Sequence, residues 1–209
     1  MSYQGNKKNM KLAVFVSGNG SNLQALIDAE KEGNLSCANI ALVVSDKTGA
    51  YALKRAEKAG IRTFVLEAGE APSREEYDKA VLKELRDAGI EFIALAGFMR
   101  ILSRTFVREY AGRILNIHPA LLPSFKGVHG IKDAFEYGVK KTGVTVHFVE
   151  DELDAGPVIL QTCVRVEQSD TLESLEEKIH AEEHRLYPEA VRLFADGKLK
   201  IEKRKVRII

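Results

Sequence analysis

The sequence predicts an α/β protein: a mostly parallel, twisted sheet with helices on both faces and an antiparallel C-terminal strand pair. Three observations predict it. Leu12–Val16, Ile40–Val44 and Phe92–Ala96 are apolar runs without alternation, the pattern of strands covered on both faces. Amphipathic stretches that stop at glycines lie between them. After Pro123 the texture changes to two strand-like runs joined by a connection too short for a crossover helix.

In chain order, the strand Leu12–Val16 is followed by Gly18-Asn19-Gly20-Ser21-Asn22 and a helix over Leu23–Glu32. Ser21 and Asn22 suit the capping of that helix. Ile40–Val44 is the second strand, Tyr51–Ala59 a helix with Gly60 as its stop, and Arg62–Leu66 a third, weaker strand. Ser73–Ala88 is a long amphipathic helix ending at Gly89, and Phe92–Ala96 the fourth strand. A short helix over Ser103–Glu109 leads to the strand Arg113–Ile117. Alternating strands and helices make right-handed βαβ units, so this part is Rossmann-like. Lys132–Val139 is then a helix, and Thr142–Val149 and Val158–Val166 are an antiparallel pair attached at the sheet's edge. A long helix runs from Thr171 to Phe194, kinked near Pro188, and the basic stretch Lys198–Arg207 reads as a solvated edge strand.

Composition narrows the partners. The 209 residues suit one domain, 11–209, behind a polar N-terminal tail, 1–10. A net charge of +1, from 31 basic and 30 acidic residues, gives no bulk attraction to nucleic acid or to an anionic membrane. Cys37 and Cys163 are far apart and outside any CxxC pattern, which indicates neither a disulfide framework nor a zinc site and fits a reducing cytoplasm. Leu12–Val16 is too short for a signal-peptide core or a membrane span.

The chemistry collects at strand ends. Ligands of open parallel sheets bind beyond the carboxyl ends of the strands. Gly18–Asn22, Gly97–Arg100 and Asn116–Pro123 all follow strands there. Asn116 and His118 are two residues apart, so on an extended chain both side chains face the same way. That face pairs a neutral donor with a group that titrates near neutral pH, which suits acyl transfer. Gly18–Asn22 opens a helix and suits an anion, most often phosphate. It is not GxGxxG, because Leu23 stands at the sixth position, although Asp46 imitates the ribose-binding acid of nicotinamide enzymes. A carboxylate in the loop Glu150–Asp154 is placed to orient a histidine, and the residues themselves leave Asp151, Glu152 and Asp154 as equals. His147, inside a strand, reads as structural, and His129 as a loop residue.

Four stretches carry a resemblance: Ser17–Leu26, Leu95–Leu102, Asn116–Pro123 and Asp151–Leu160. In order and spacing they resemble the phosphoribosylglycinamide formyltransferase family, folate-dependent enzymes of purine synthesis. The Asn-x-His pair is common to transferases and hydrolases of 10-formyltetrahydrofolate, and the Ser-Gly-Asn-Gly-Ser-Asn loop narrows the match. The resemblance implies a catalytic trio of Asn116, His118 and Asp154. It implies that Gly20, Ser21 and Asn22 hold the phosphate of glycinamide ribonucleotide and Glu183 its glycinamide end. It implies that Met99, Arg100, Ile101 and Leu102 line a folate pocket that Asn116 also faces, with Arg74 as a further folate contact. The implied co-substrate is 10-formyltetrahydrofolate, without a metal. The partners are then small molecules, not nucleic acid or membrane, acting on a cytoplasmic monomer or homodimer.

Rival readings differ in what they need. A methionyl-tRNA formyltransferase needs a basic face and an added RNA-binding domain. A hydrolase has no use for a phosphate loop. A nicotinamide oxidoreductase rests on Gly18, Gly20 and Asp46 alone.

Overall fold

The computed structural model describes residues 9–209, so residues 1–8 of the expected N-terminal tail lie outside the described part. Among the described residues, nine strands form one sheet. They are β1 (Met10–Val16), β2 (Ala38–Ser45), β3 (Thr63–Val65), β4 (Phe92–Leu95), β5 (Ile114–His118), β6 (Lys141–Phe148), β7 (Val158–Arg165), β8 (Leu199–Glu202) and β9 (Lys205–Ile208). Their spatial order is β3-β2-β1-β4-β5-β6-β7-β9-β8. β1 to β5 pair in parallel, β6 runs against both β5 and β7, and β9 pairs in parallel with β7 and against β8.

Six α-helices among the described residues connect them: α1 (Ser21–Lys31), α2 (Tyr51–Lys58), α3 (Arg74–Asp87), α4 (Arg104–Glu109), α5 (Gly130–Tyr137) and α6 (Leu172–Ala195). The uninterrupted apolar strands are explained by the two cores they separate. Leu12, Val14 and Val16 of β1 pack with α1, β2 and α6, while Ala13 and Phe15 pack with Tyr77, Val81 and Phe106 of α3 and α4. Each alternate side chain therefore leaves water on a different face, and no polar alternation survives.

Two expectations about the sheet are corrected. The pair β6–β7 is not at the edge, because the β8–β9 hairpin continues the sheet beyond it. The single solvated strand expected over Lys198–Arg207 is that two-stranded hairpin. Pro188 lies inside α6, which runs as one helix from Leu172 to Ala195. No helix among the described residues is long and apolar enough to cross a membrane.

Candidate active site

Topology brings the three distinctive loops together. β1, β4 and β5 are parallel neighbours, so Ser17–Gly20, Ala96–Ser103 and the turn after His118 leave the sheet along one rim. Two contacts join these segments. The Ser17 hydroxyl accepts the Met99 N–H at 2.8 Å. The buried Tyr187 hydroxyl of α6 lies 2.8 Å from the Leu95 carbonyl and 3.1 Å from that of Leu115, tying α6 to the end of β4 and to β5 beside it. Glu183, one turn earlier on α6, is thereby carried to the same rim.

At the end of β5 the register sets Asn116 opposite His147 and His118 opposite Thr145 of β6. An amide nitrogen only donates, so the Asn116 Nδ2 group donates to His147 Nε2 at 3.2 Å. His147 Nδ1 must then carry the proton, and it donates to the Phe148 carbonyl at 2.8 Å. The ring is neutral and holds the Asn116 amide in a fixed orientation, leaving its second N–H for another acceptor. His118 is 4% exposed; its Nε2 donates to the Phe125 carbonyl at 2.8 Å, and its Nδ1 lies 3.6 Å from Asp154 Oδ2. Asp154 Oδ2 accepts the Gly127 N–H at 2.8 Å, and its Oδ1 lies 3.7 Å from His147 Nε2. The Ser124–Gly130 loop thus lies over the cluster, with one backbone group on the histidine and another on the carboxylate.

Geometry separates the three acids that the residues left as equals. Asp151 and Glu152 are exposed and face Arg108 and Lys126. Asp154 alone turns inward, its side chain 7% exposed, on a backbone with φ of 49°. Aspartate is one of the few residues that tolerate that left-handed region. The turn after His118 is fixed from below. The Thr145 hydroxyl donates to the Ala120 carbonyl at 2.7 Å, and the Gln161 amide donates to the Leu122 carbonyl at 3.1 Å.

His147 is the residue that sequence reasoning set aside as structural. The signal that would have found it is cross-strand pairing with Asn116, which needs the register. Burial lowers its pKa, although the hydrogen bond to Phe148 and the charge of Asp154 both pull upward. A histidine whose folded pKa lies below its unfolded value of about 6.5 binds fewer protons folded than unfolded in the interval between them. Its contribution to stability is therefore full above about pH 6.5 and is lost as the pH falls toward the folded value. We expect His147→Gln to flatten the fall in melting temperature between about pH 6.5 and 5; parallel profiles for variant and parent would refute this. His180, raised mainly by its hydrogen bond to Glu183, contributes the opposite slope in both proteins and cancels from the comparison.

The second cluster is the α1 entrance. Gly20 is the N-cap residue, with φ of 75° and no side-chain cap on the helix, and the first turn holds no acid. This corrects the expectation that Ser21 and Asn22 cap α1: both lie inside its first turn, because Gly20 takes the left-handed turn that starts it. The uncapped N–H groups and the helix dipole together favour an anion. The buried Asn22 side chain instead reaches across to α6, donating to Glu183 Oε2 at 3.1 Å. His180 Nδ1 lies 2.8 Å from the same oxygen. Residues 22 and 183, which the family resemblance assigns to one substrate, are thus in direct contact. A groove of about 900 Å³ between α1 and α6 is lined by Ser21, Arg55 and His184 among others, with Asn116, His118 and Asp154 outside it.

The third cluster is Met99–Leu102, held from α3. Arg74 Nη2 donates to the Ile101 carbonyl at 2.6 Å, the Arg100 guanidinium lies 3.9 Å from the centre of the Tyr77 ring, and Asp78 accepts the Ser103 N–H at 3.0 Å. Residues 74, 77 and 78 share one helix face, so a single element shapes the segment. Met99 and Ile101 project outward, 54% and 65% exposed. Burial pushes the Tyr77 hydroxyl up to about 12, and that oxygen has no hydrogen-bond partner. We therefore expect Tyr77→Phe to keep or raise the melting temperature, since it removes an unpaired buried group worth about 1–3 kcal/mol. Tyr77→Leu, which loses the ring beneath Arg100, should lower it; equal losses in both variants would contradict the geometry.

No three His, Cys, Asp or Glu side chains among the described residues are placed to hold a metal ion.

Comparison with known proteins adds an independent line. Residues 10–191 match the family model described as formyl transferase. The phosphoribosylglycinamide formyltransferase of Escherichia coli K12 is 47% identical over 192 residues, 92% of this chain and 90% of that protein. The trifunctional purine biosynthetic protein adenosine-3 of Gallus gallus is 50% identical over 92% of this chain, which spans only 19% of that protein's length. The glycinamide ribonucleotide transformylase 1 structure from Symbiobacterium toebii superposes with a TM-score of 0.95 at 44% identity, covering 100% of this chain and 98% of that one. With the rim geometry above, the match over most of its length makes this chain a member of the formyl transferase family.

Proposed function

We propose that this chain transfers the formyl group of 10-formyltetrahydrofolate to the amine of glycinamide ribonucleotide, giving N-formylglycinamide ribonucleotide and tetrahydrofolate in purine biosynthesis. The observation that carries the proposal is the meeting, on one rim, of an uncapped helix N-terminus bonded to Glu183 and the Asn116–His118–Asp154 cluster. Relatives named for this reaction align over nearly their whole length.

In this reading the α1 entrance, with Gly20, Ser21 and Asn22, takes the phosphate, and Glu183 accepts from the glycinamide end. The folate lies along Met99–Leu102 and Asn116, with Arg74 at its margin. The outward Met99 and Ile101 side chains and the exposed Leu153 across the rim fit an apolar ring system. The amine, with a reference pKa of about 8, is partly neutral at pH 7 and attacks the formyl carbon. The free N–H of Asn116 and Nε2–H of His118 stabilise the oxyanion, His118 exchanging its bond to the Phe125 carbonyl for one to the substrate. Asp154 supplies the opposite charge beside the imidazolium. As the bond from the formyl carbon to N10 breaks, one proton has left the amine nitrogen and one arrives on N10, carried through His118 and water. No metal enters this scheme. The reading has residues 11–209 act as one cytoplasmic domain, monomer or homodimer, on two small molecules.

The test is release of tetrahydrofolate from a 10-formylfolate donor, followed by absorbance, with and without glycinamide ribonucleotide. Turnover only with the ribonucleotide is expected. Turnover at the same rate without it would mean that water is the acceptor and would overturn the reading.

A further inference from the structure

The α1 entrance is shaped from outside by α2. The Ala52 N–H, in the first turn of α2, donates to the Gly18 carbonyl at 3.1 Å. A Cβ on Gly20 would lie 2.5 Å from the Ala52 Cβ, so the left-handed turn is pressed directly against the helix. One side chain then spans the loop. Arg55 Nε donates to the Asn19 carbonyl at 2.9 Å, Nη2 to Asn19 Oδ1 at 3.0 Å, and Nη1 to Gln24 Oε1 at 3.1 Å. Its guanidinium also stacks 5.0 Å from the Tyr51 ring centre.

We infer that Arg55 is a positioning residue for the anion loop: its planar fork holds Gly18–Asn22 in the shape that exposes the α1 N–H groups, without itself touching the anion. The inference rests on the phosphate role proposed for that loop. Three bonds aimed along the three edges of a guanidinium use its geometry and not only its charge, and an ammonium cannot reproduce them. The nitrogens are committed to neutral acceptors on the loop and on α1, whereas a residue that grips phosphate keeps its fork for the ligand.

The deciding measurement is binding of inorganic phosphate by calorimetry, in a phosphate-free buffer, to the parent, Arg55→Lys, Arg55→Met and Asn19→Ala. Loss of three modest hydrogen bonds should weaken binding by about tenfold or more in both Arg55 variants, and Asn19→Ala, on an exposed side chain, should show a smaller loss. In turnover assays the same Arg55 variants should raise KM for the ribonucleotide far more than they change kcat. Retention of parental phosphate affinity by Arg55→Lys would show that charge alone suffices and would overturn the inference. So would unchanged binding in Arg55→Met, or a parent that binds no phosphate. A parent that binds phosphate, loses it on both substitutions and yet ignores glycinamide ribonucleotide would leave the positioning role standing and remove the proposed substrate instead.

Discussion

Replacing His118 by alanine, or Asp154 by asparagine, is expected to lower kcat by about 10²–10⁴ while KM for both substrates changes little. The expectation follows from where the two groups stand. His118 and Asp154 are almost wholly buried at the end of β5 and in the loop before β7, 3.6 Å apart, whereas the proposed phosphate contacts, and the proposed folate contacts other than Asn116, lie on other segments. Removing an imidazole that stabilises only the developing oxyanion costs transition-state energy and little ground-state binding. Asp154→Asn is the sharper of the two variants. The amide keeps the volume of the carboxylate and one oxygen for the Gly127 N–H, so the loop can stay closed while the charge beside His118 is gone. Circular dichroism and melting temperature check that the variants are folded. The roles fail if kcat is preserved and only KM rises, because that pattern would make the cluster a binding surface.

How much of this could be read from the chain depends on which interactions are local. β1, β2 and β4 were legible because strands between two cores cannot alternate, and residues such as Leu12 and Ala13 face different cores. Asn116 and His118 were legible as a pair because strand geometry aligns residues two apart. The β8–β9 hairpin was not, because its half-solvated strands mix charge with Ile and Val and its pairing to β7 is long-range. Nor could the residues choose Asp154: the choice depends on a left-handed backbone and on burial created by Gly127 and His118. His147 and Arg55 share that difficulty. Each acts through a partner supplied by tertiary register, His147 across the β5–β6 ladder and Arg55 across 36 positions to Asn19. The structure places Asn22 and Glu183, which the family resemblance had grouped, 161 positions apart in sequence and in hydrogen-bond contact.

The largest loss of stability is expected from Gly156→Ala, at a position outside the proposed chemistry. Gly156 is buried between Asp154 and β7, and a Cβ built there would overlap the Phe148 carbonyl oxygen and lie 2.8 Å from its carbon. Flexible side chains can move away from a methyl group, but this obstacle is backbone at the end of β6. That segment is pinned on two sides: the Phe148 N–H donates to the Pro157 carbonyl at 3.0 Å, and the Phe148 carbonyl accepts His147 Nδ1 at 2.8 Å. Relief of the clash must therefore part β6 from the loop, release His147 and swing Asp154 away from His118. We expect a cost of about 3 kcal/mol or more, at the upper end of overpacking penalties, and a fall in melting temperature of roughly 6–12 °C for a chain of this size. In the folded fraction kcat should fall as well, with the substrate KM values less affected. Gly49→Ala is the control: its backbone is outside the left-handed region and nothing lies within 4 Å of the added carbon. It should leave the melting temperature unchanged or slightly raised, since alanine restricts the unfolded chain. A Gly156→Ala protein that melts with the parent and turns over at the parental rate would mean that the β6–β7 connection has slack. Burial of Asp154 would then not be what holds it beside His118.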